Sequence, residues 1–198
     1  MGIRDSRAPR SVVSSQTVRT TPIFDVVEDR VRLSPEADPV TRAYLRHPGA
    51  VAVLAADDDL RVLLIRQYRH PVGEELWEIP AGLLDVEGEP PEETARRELF
   101  EEADLRAERW TPLVEHLPSP GSTDEAVRLF LAEGLHEVPE DQRHRREHEE
   151  AEIVTRWVPL SDLVEAVMSG SVRNANTVVG ALALQAVHMR DRARAGAG

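Results

Sequence analysis

Residues 82–105 read Gly82-Leu83-Leu84-Asp85-Val86-Glu87-Gly88-Glu89-Pro90-Pro91-Glu92-Glu93-Thr94-Ala95-Arg96-Arg97-Glu98-Leu99-Phe100-Glu101-Glu102-Ala103-Asp104-Leu105, and this stretch decides the fold. Pro90 and Pro91 followed by Glu92 and Glu93 mark a helix start, because proline fits the first turn and acidic side chains face the positive end of the helix dipole. The helix is expected to run to about Ala103. At about 100° per residue, Glu98, Glu101 and Glu102 share one arc of roughly 100°. Ala95, Leu99 and Ala103 form an adjacent apolar edge that can dock on a sheet. Arg97 stands one turn before Glu101, where an ion pair can hold that carboxylate. Like charges on one face repel unless a cation neutralises them, and clustered hard carboxylate oxygens suit Mg²⁺ or Mn²⁺ rather than zinc. The bland alternative is an acidic face that is simply solvated.

Working upstream, Ala50 to Ala56 and Leu60 to Tyr68 are β-rich runs separated by Asp57-Asp58-Asp59, which predicts a hairpin. Leu76 to Pro80 predicts a short strand, and Ala81 to Glu89 a glycine-containing loop. Partial alternation from Val18 to Leu33 predicts one or two strands before Ser34-Pro35. Residues 1 to about 18 are polar and aperiodic and read as a flexible tail. Downstream, Trp110 to His116, Ala126 to Glu133 and Ile153 to Val158 are strand candidates, and His136 to Glu150 is a charged loop. Ser161 to Met168 predicts a helix capped by Ser161 and stopped by Gly170. Val178, Val179, Leu182, Ala186 and Met189 follow helical spacing and predict a final amphipathic helix. The sum is an α/β (α+β) chain, expected as one domain over residues 19–198.

Composition narrows the function classes. The chain has 198 residues, 41% hydrophobic and 30% charged, enough to bury a core in one domain with extensions. It has no cysteine, which excludes disulfide scaffolds, thiolate zinc sites and cysteine nucleophiles. Every basic residue is Arg, so lysine Schiff-base chemistry is excluded as well. A net charge of −12 argues against nucleic-acid binding. No stretch nears the ~18 apolar residues of a membrane span, and residues 1–15 lack an apolar leader segment, so a cytoplasmic protein with no membrane partner is expected.

From Glu89 onward the positions Glu89, Arg97, Glu98, Leu99, Glu101, Glu102 and Leu105 match the Nudix box: Gly, five residues, Glu, seven residues, Arg-Glu, an aliphatic, any residue, Glu-Glu, any residue, Gly, an aliphatic. The chain resembles a Nudix hydrolase over most of residues 20 to 195. It departs from the pattern twice. Gly82 stands seven positions before Glu89, one more than usual, and Gly88 is placed to absorb the extra residue. Asp104 replaces the glycine after the helix, at a position needing a left-handed conformation that Asp tolerates better than most residues.

The resemblance implies a Nudix fold, a mixed sheet between helices in an α/β/α arrangement with antiparallel strands at the N-terminus. It implies metal ligation by Glu98, Glu101 and Glu102 with the Ala81 carbonyl, Arg97 as a further active-site residue, and Mg²⁺ or Mn²⁺ as cofactor. Pro120 stands fifteen residues after Leu105. That spacing, with Arg46-His47-Pro48-Gly49-Ala50, Gln67-Tyr68-Arg69-His70-Pro71 and Leu76-Trp77-Glu78-Ile79-Pro80-Ala81-Gly82, is similar to the ADP-ribose pyrophosphatases of the actinobacterial type. The implied reaction is hydrolysis of ADP-ribose to AMP and ribose 5-phosphate. Alternatives are another nucleoside diphosphate derivative (a sugar nucleotide, NADH or a flavin dinucleotide) or a non-catalytic ADP-ribose sensor. The resemblance also implies a homodimer in which the strands of residues 19–45 meet the partner.

In His148-Glu149-Glu150-Ala151-Glu152 the resemblance implies a loop glutamate that acts as general base or holds a metal: Glu150 first, then Glu149, then Glu152. A mobile loop can bring such a base to the attacking water. A zinc-protease reading of His148-Glu149 fails, because the motif needs a histidine where Glu152 stands. Arg66 and Arg69 carry forks that fit phosphate oxygens, with surface ion pairs the competing reading. Glu78 is a candidate acceptor for adenine or ribose, and Gly82 and Pro120 complete the expected substrate contacts. Trp77, Tyr68 and Phe24 are candidates to stack a base, against the commoner role of aromatics as core.

Overall fold

A computed structural model describes residues 2–146 and 152–196. The chain divides into two compact units, Met1–Pro48 with Ser119–Glu125, and Gly49–Pro118 with Ala126–Gly198. The first holds β1 (Ser11–Thr20), β2 (Asp25–Arg32) and β3 (Val40–Arg46) in one antiparallel sheet of that order. Residues 11–18, expected as part of a tail, therefore lie in a strand. Every residue of β1 is exposed, so its order comes from ladder pairing with β2, from Ser11 opposite Arg32 to Thr20 opposite Asp25, and not from burial. Hydrophobic patterning carries no trace of such a strand. Leu45 N–H donates to Ser122 O and His47 N–H to Asp124 Oδ1, which draws loop 119–125 into this unit. The N-terminal strands take their ladder partners from each other within this unit.

The second unit carries two sheets. One has the order β7-β4-β9-β8, formed by Ala81–Leu83, Ala50–Ala55, Val127–Glu137 and Leu105–His116. The other has the order β10-β5-β6, formed by Val154–Pro159, Arg61–Arg69 and Glu74–Glu78. β4 is buried along its whole length and runs parallel to β9, as a continuous apolar strand covered on both faces should. Its side chains alternate between two cores. Ala50, Ala52 and Leu54 pack with Ala181 and Leu184 of α3 (Ala175–Ala195) and with Leu160 and Leu163 of α2 (Leu160–Met168). Val51, Val53 and Ala55 pack with Ala95, Leu99 and Ala103 of α1 (Pro91–Ala103). This is the expected α/β/α arrangement, and the apolar edge read from the α1 sequence is the edge that docks.

The hairpin expected between β4 and β5 does not form. The two strands share one bridge, Ala56 opposite Val62, and then enter different sheets. Asp57 accounts for the sharp exit: its carboxylate accepts from the N–H groups of Asp59 and Arg61, and from the Arg61 guanidinium at 2.7 Å. Leu60 adopts φ 56°, a left-handed conformation that turns the chain out of hairpin register. Burial raises the Asp57 carboxyl pKa, but the Arg61 backbone and guanidinium outweigh it and hold the group below its ordinary value.

Helix ends follow local chemistry with one correction. α2 begins after Pro159, so Ser161 lies in the first turn and donates to Asp162 instead of capping. Gly170 follows that helix at φ 75°. Asn174 caps α3 by accepting from the Thr177 N–H at 3.0 Å. A Cβ on Gly180 would fall 2.8 Å from Leu54 Cδ1, so α3 lies as close to β4 as a missing side chain permits. No helix of the described residues is long and apolar enough to cross a membrane.

Candidate active site

Helix α1 brings Glu98, Glu101 and Glu102 to one region, with Glu98 and Glu102 buried and Glu101 half-buried. β7 lies against this face. Ala81 N–H donates to Glu102 Oε2 at 2.9 Å, which puts the Ala81 peptide beside that carboxylate. Gly82 leaves room for Glu98: a Cβ there would sit 2.0 Å from Glu98 Cδ and Oε1. The box glycine is thus required by a side chain that fills the space above it.

Arg97 supplies the positive charge. Its guanidinium reaches Glu98 at 2.7 Å, Glu101 at 3.1 Å and Glu89 at 3.5 Å. Burial works against that charge, yet Glu98, Glu101 and Glu89 outweigh it and raise the Arg97 pKa. Glu89 reaches the cluster despite the extra loop residue. Gly88 takes φ 80°, and Thr94 Oγ1 donates to Glu89 Oε2 at 2.8 Å. Arg97 pairs with three carboxylates, and among the described residues no three acidic or histidine side chains converge on one point as they stand. Arg97 draws Glu98 and Glu101 toward itself.

At the helix end Asp104 has φ 54° and ψ 35°, the left-handed conformation expected where the motif has glycine, and its N–H closes the last turn on Leu99 and Phe100 carbonyls. Its carboxylate pairs with Arg146, whose Nε also donates to the Glu101 carbonyl at 2.8 Å. Sequence reasoning missed Arg146. It stands in a charged stretch without periodicity, and the one clue was an acid in place of the motif glycine.

The expected substrate contacts scatter. Arg69 holds Glu78 through two bonds of 2.9 and 2.7 Å, so its fork is engaged by a carboxylate that is only 2% exposed. Arg66 lies 5.7 Å from the Trp77 ring centroid and 3.6 Å from Glu75. Both arginines are ion-paired. Pro120 belongs to the first unit. Glu149 and Glu150 lie outside the described residues, and Glu152 is exposed. Beside the carboxylates, a cleft of about 520 Å³ is lined by Glu89, Arg96, Arg97, Phe100, Arg106 and Trp110, among others.

Residues 45–177 match the NUDIX domain. The chain belongs to the NUDIX family. An ADP-ribose pyrophosphatase of Mycobacterium tuberculosis is 45% identical over 175 residues, covering 88% of this chain and 83% of that protein. One of Bacillus subtilis is 36% identical, covering 92% and 95%. A GDP-mannose pyrophosphatase of Cronobacter sakazakii is 34% identical, covering 74% and 76%. A crystal structure of an ADP compounds hydrolase superposes with a TM-score of 0.75 over 95% of this chain and 98% of that one, at 21% identity, which places the two in one fold. NUDIX hydrolases generally need divalent metal ions. The donor set here fits such an ion: the oxygens are hard, two of the carboxylates are buried, and Gly82 provides the space in which Glu98 is seated.

Proposed function

We propose that this NUDIX protein hydrolyses the diphosphate bond of ADP-ribose, giving AMP and ribose 5-phosphate. The observation that carries the reading is the 45% identity, over 88% of the chain, to a protein named for that activity. The intact set Glu98, Glu101, Glu102 and Arg97 supports catalysis over mere binding. Mg²⁺ or Mn²⁺ held by these carboxylates and the Ala81 carbonyl would neutralise the diphosphate and acidify water. Arg97 keeps Glu98 and Glu101 gathered in readiness, and Glu102 is oriented by the Ala81 N–H. Water attacks phosphorus and the anhydride P–O bond breaks. The proton passes to a carboxylate, for which Glu150 is the first choice and Glu149 the second. Arg69 and Glu78, already paired, serve as a fixed wall of the substrate pocket, with Arg66 and Gly82 as further contacts.

The protein works in the cytoplasm as a homodimer. β1 supports the latter, since a ten-residue strand exposing Val12, Val13 and Val18 is a surface that a partner can cover. The GDP-mannose pyrophosphatase relative supports a second reading, a sugar-nucleotide substrate. A panel of ADP-ribose, GDP-mannose, NADH and a flavin dinucleotide, assayed with Mg²⁺ and with Mn²⁺ and with products identified by mass, tests both. Fastest turnover of ADP-ribose to AMP is the expected result, and preference for GDP-mannose overturns it.

A further inference from the structure

Asp104 does two things at once. Its backbone ends α1 in a left-handed turn, a task glycine performs at no steric cost. Its side chain, largely buried, pairs with the largely buried Arg146, a task glycine cannot perform. The same Arg146 donates through Nε to the carbonyl of Glu101, the residue whose carboxylate Arg97 holds on the opposite side. Other contacts bind the same segment to the helix end. Val138 N–H donates to Asp104 O at 2.9 Å, Arg143 Nε donates to Val138 O, and His144 meets Phe100 edge-on at 6.4 Å.

We infer that the Asp104–Arg146 pair is a positioning device for the active centre, fastening residues 138–146 to the end of the helix that bears Glu98, Glu101 and Glu102. The anchor acts on the active centre through Arg146 Nε, which holds the carbonyl of Glu101. This role rests on the ADP-ribose hydrolase reading above. The substitution of an acid for the motif glycine thus has a physical rationale: the left-handed strain is offset by a partly buried, charge-assisted bond that holds a second chain segment.

D104G separates the two tasks, because glycine keeps the helix stop and removes only the pair. R146Q removes the pair from the other side, and R146K keeps the charge without the two-pronged fork. The first measurement is tryptic cleavage after the exposed Arg145, which needs no substrate. D104G and R146Q should each be cut about tenfold faster than wild type, because local opening governs cleavage of a folded chain. The second is metal-dependent hydrolysis of ADP-ribose. Both variants should lose about ten- to a hundredfold in kcat at unchanged KM, the scale of a small misplacement. D104G should keep its thermal midpoint, because glycine relieves the left-handed strain, whereas R146Q keeps the strain, leaves a carboxylate unpaired and should melt lower. R146K should fall between. The double variant should lose no more than either single, as members of one pair do.

Wild-type cleavage rates overturn the tether. Faster cleavage with wild-type kcat, or a kcat loss in D104G matched by a fall in its thermal midpoint, overturns the positioning role. If wild type itself leaves ADP-ribose intact, the substrate reading fails, and the cleavage rates alone then decide whether the tether exists.

Discussion

Gly82 and Glu98 stand so close that a methyl group on the first would lie 2.0 Å from Cδ and Oε1 of the second. The obstructing atoms belong to a side chain that can swing away, so the fold has an inexpensive escape and the centre does not. Gly82→Ala should therefore melt within a few degrees of wild type while kcat falls by about a hundredfold. Calorimetry beside a turnover assay checks the split, and an active Gly82→Ala enzyme would mean Glu98 is dispensable.

Glu98→Gln and Glu102→Gln keep the shape of each side chain and remove its charge. The amide oxygen at position 102 can still accept from the Ala81 N–H, so the local structure should persist. Losing several kcal/mol of charge stabilisation corresponds to roughly a thousandfold in rate. EDTA should abolish wild-type turnover, and either Mg²⁺ or Mn²⁺ in excess should restore it.

Arg97 is a counter-ion to Glu89, Glu98 and Glu101. Replacing it by Gln removes an ion-pair partner from each of Glu89, Glu98 and Glu101. Arg97→Gln should lower the thermal midpoint in EDTA, and millimolar Mg²⁺ should recover more of the midpoint than it adds to wild type. Equal shifts in both proteins would show that Arg97 and the ion do not share the same charges.

Asp57 links stability to pH. Its folded pKa is depressed below 3.8, so its contribution is present in full above the unfolded value. It is lost as pH falls through the folded value. Asp57→Asn should thus melt below wild type at neutral pH, and the two curves should converge in strong acid. A gap that persists unchanged at the acid end would assign the loss to the amide's geometry and not to charge.

Much of the architecture was legible because burial leaves a pattern. The Ala95, Leu99, Ala103 edge, the limits of α1, and the left-handed demand at Asp104 all follow from local rules that the fold obeys. The misreadings share a cause. Ala50–Ala55 and Arg61–Arg69 look like a hairpin in any short window, and only distant β9 and β10 reveal that they part. β1 buries nothing, so apolar alternation has nothing to report. At the site, the motif located the carboxylates and Arg97 but was silent on Arg146, and on the Arg69–Glu78 pair that consumes a fork expected for phosphate. Motifs record chemistry within one segment, whereas these pairings join segments far apart in the chain.

The parting of β4 from β5 has a consequence for how the molecule comes into being. β4 needs residues 127–137 beside it, and β5 needs residues 154–159. During synthesis the catalytic helix emerges long before either neighbour, so its greasy edge must wait while much of the remaining polypeptide leaves the ribosome. Such long-separation pairing makes for slow folding. Truncation before residue 127 should strand the helix undocked, because β4 then lacks the strand beside it, and chaperone demand should concentrate in that interval.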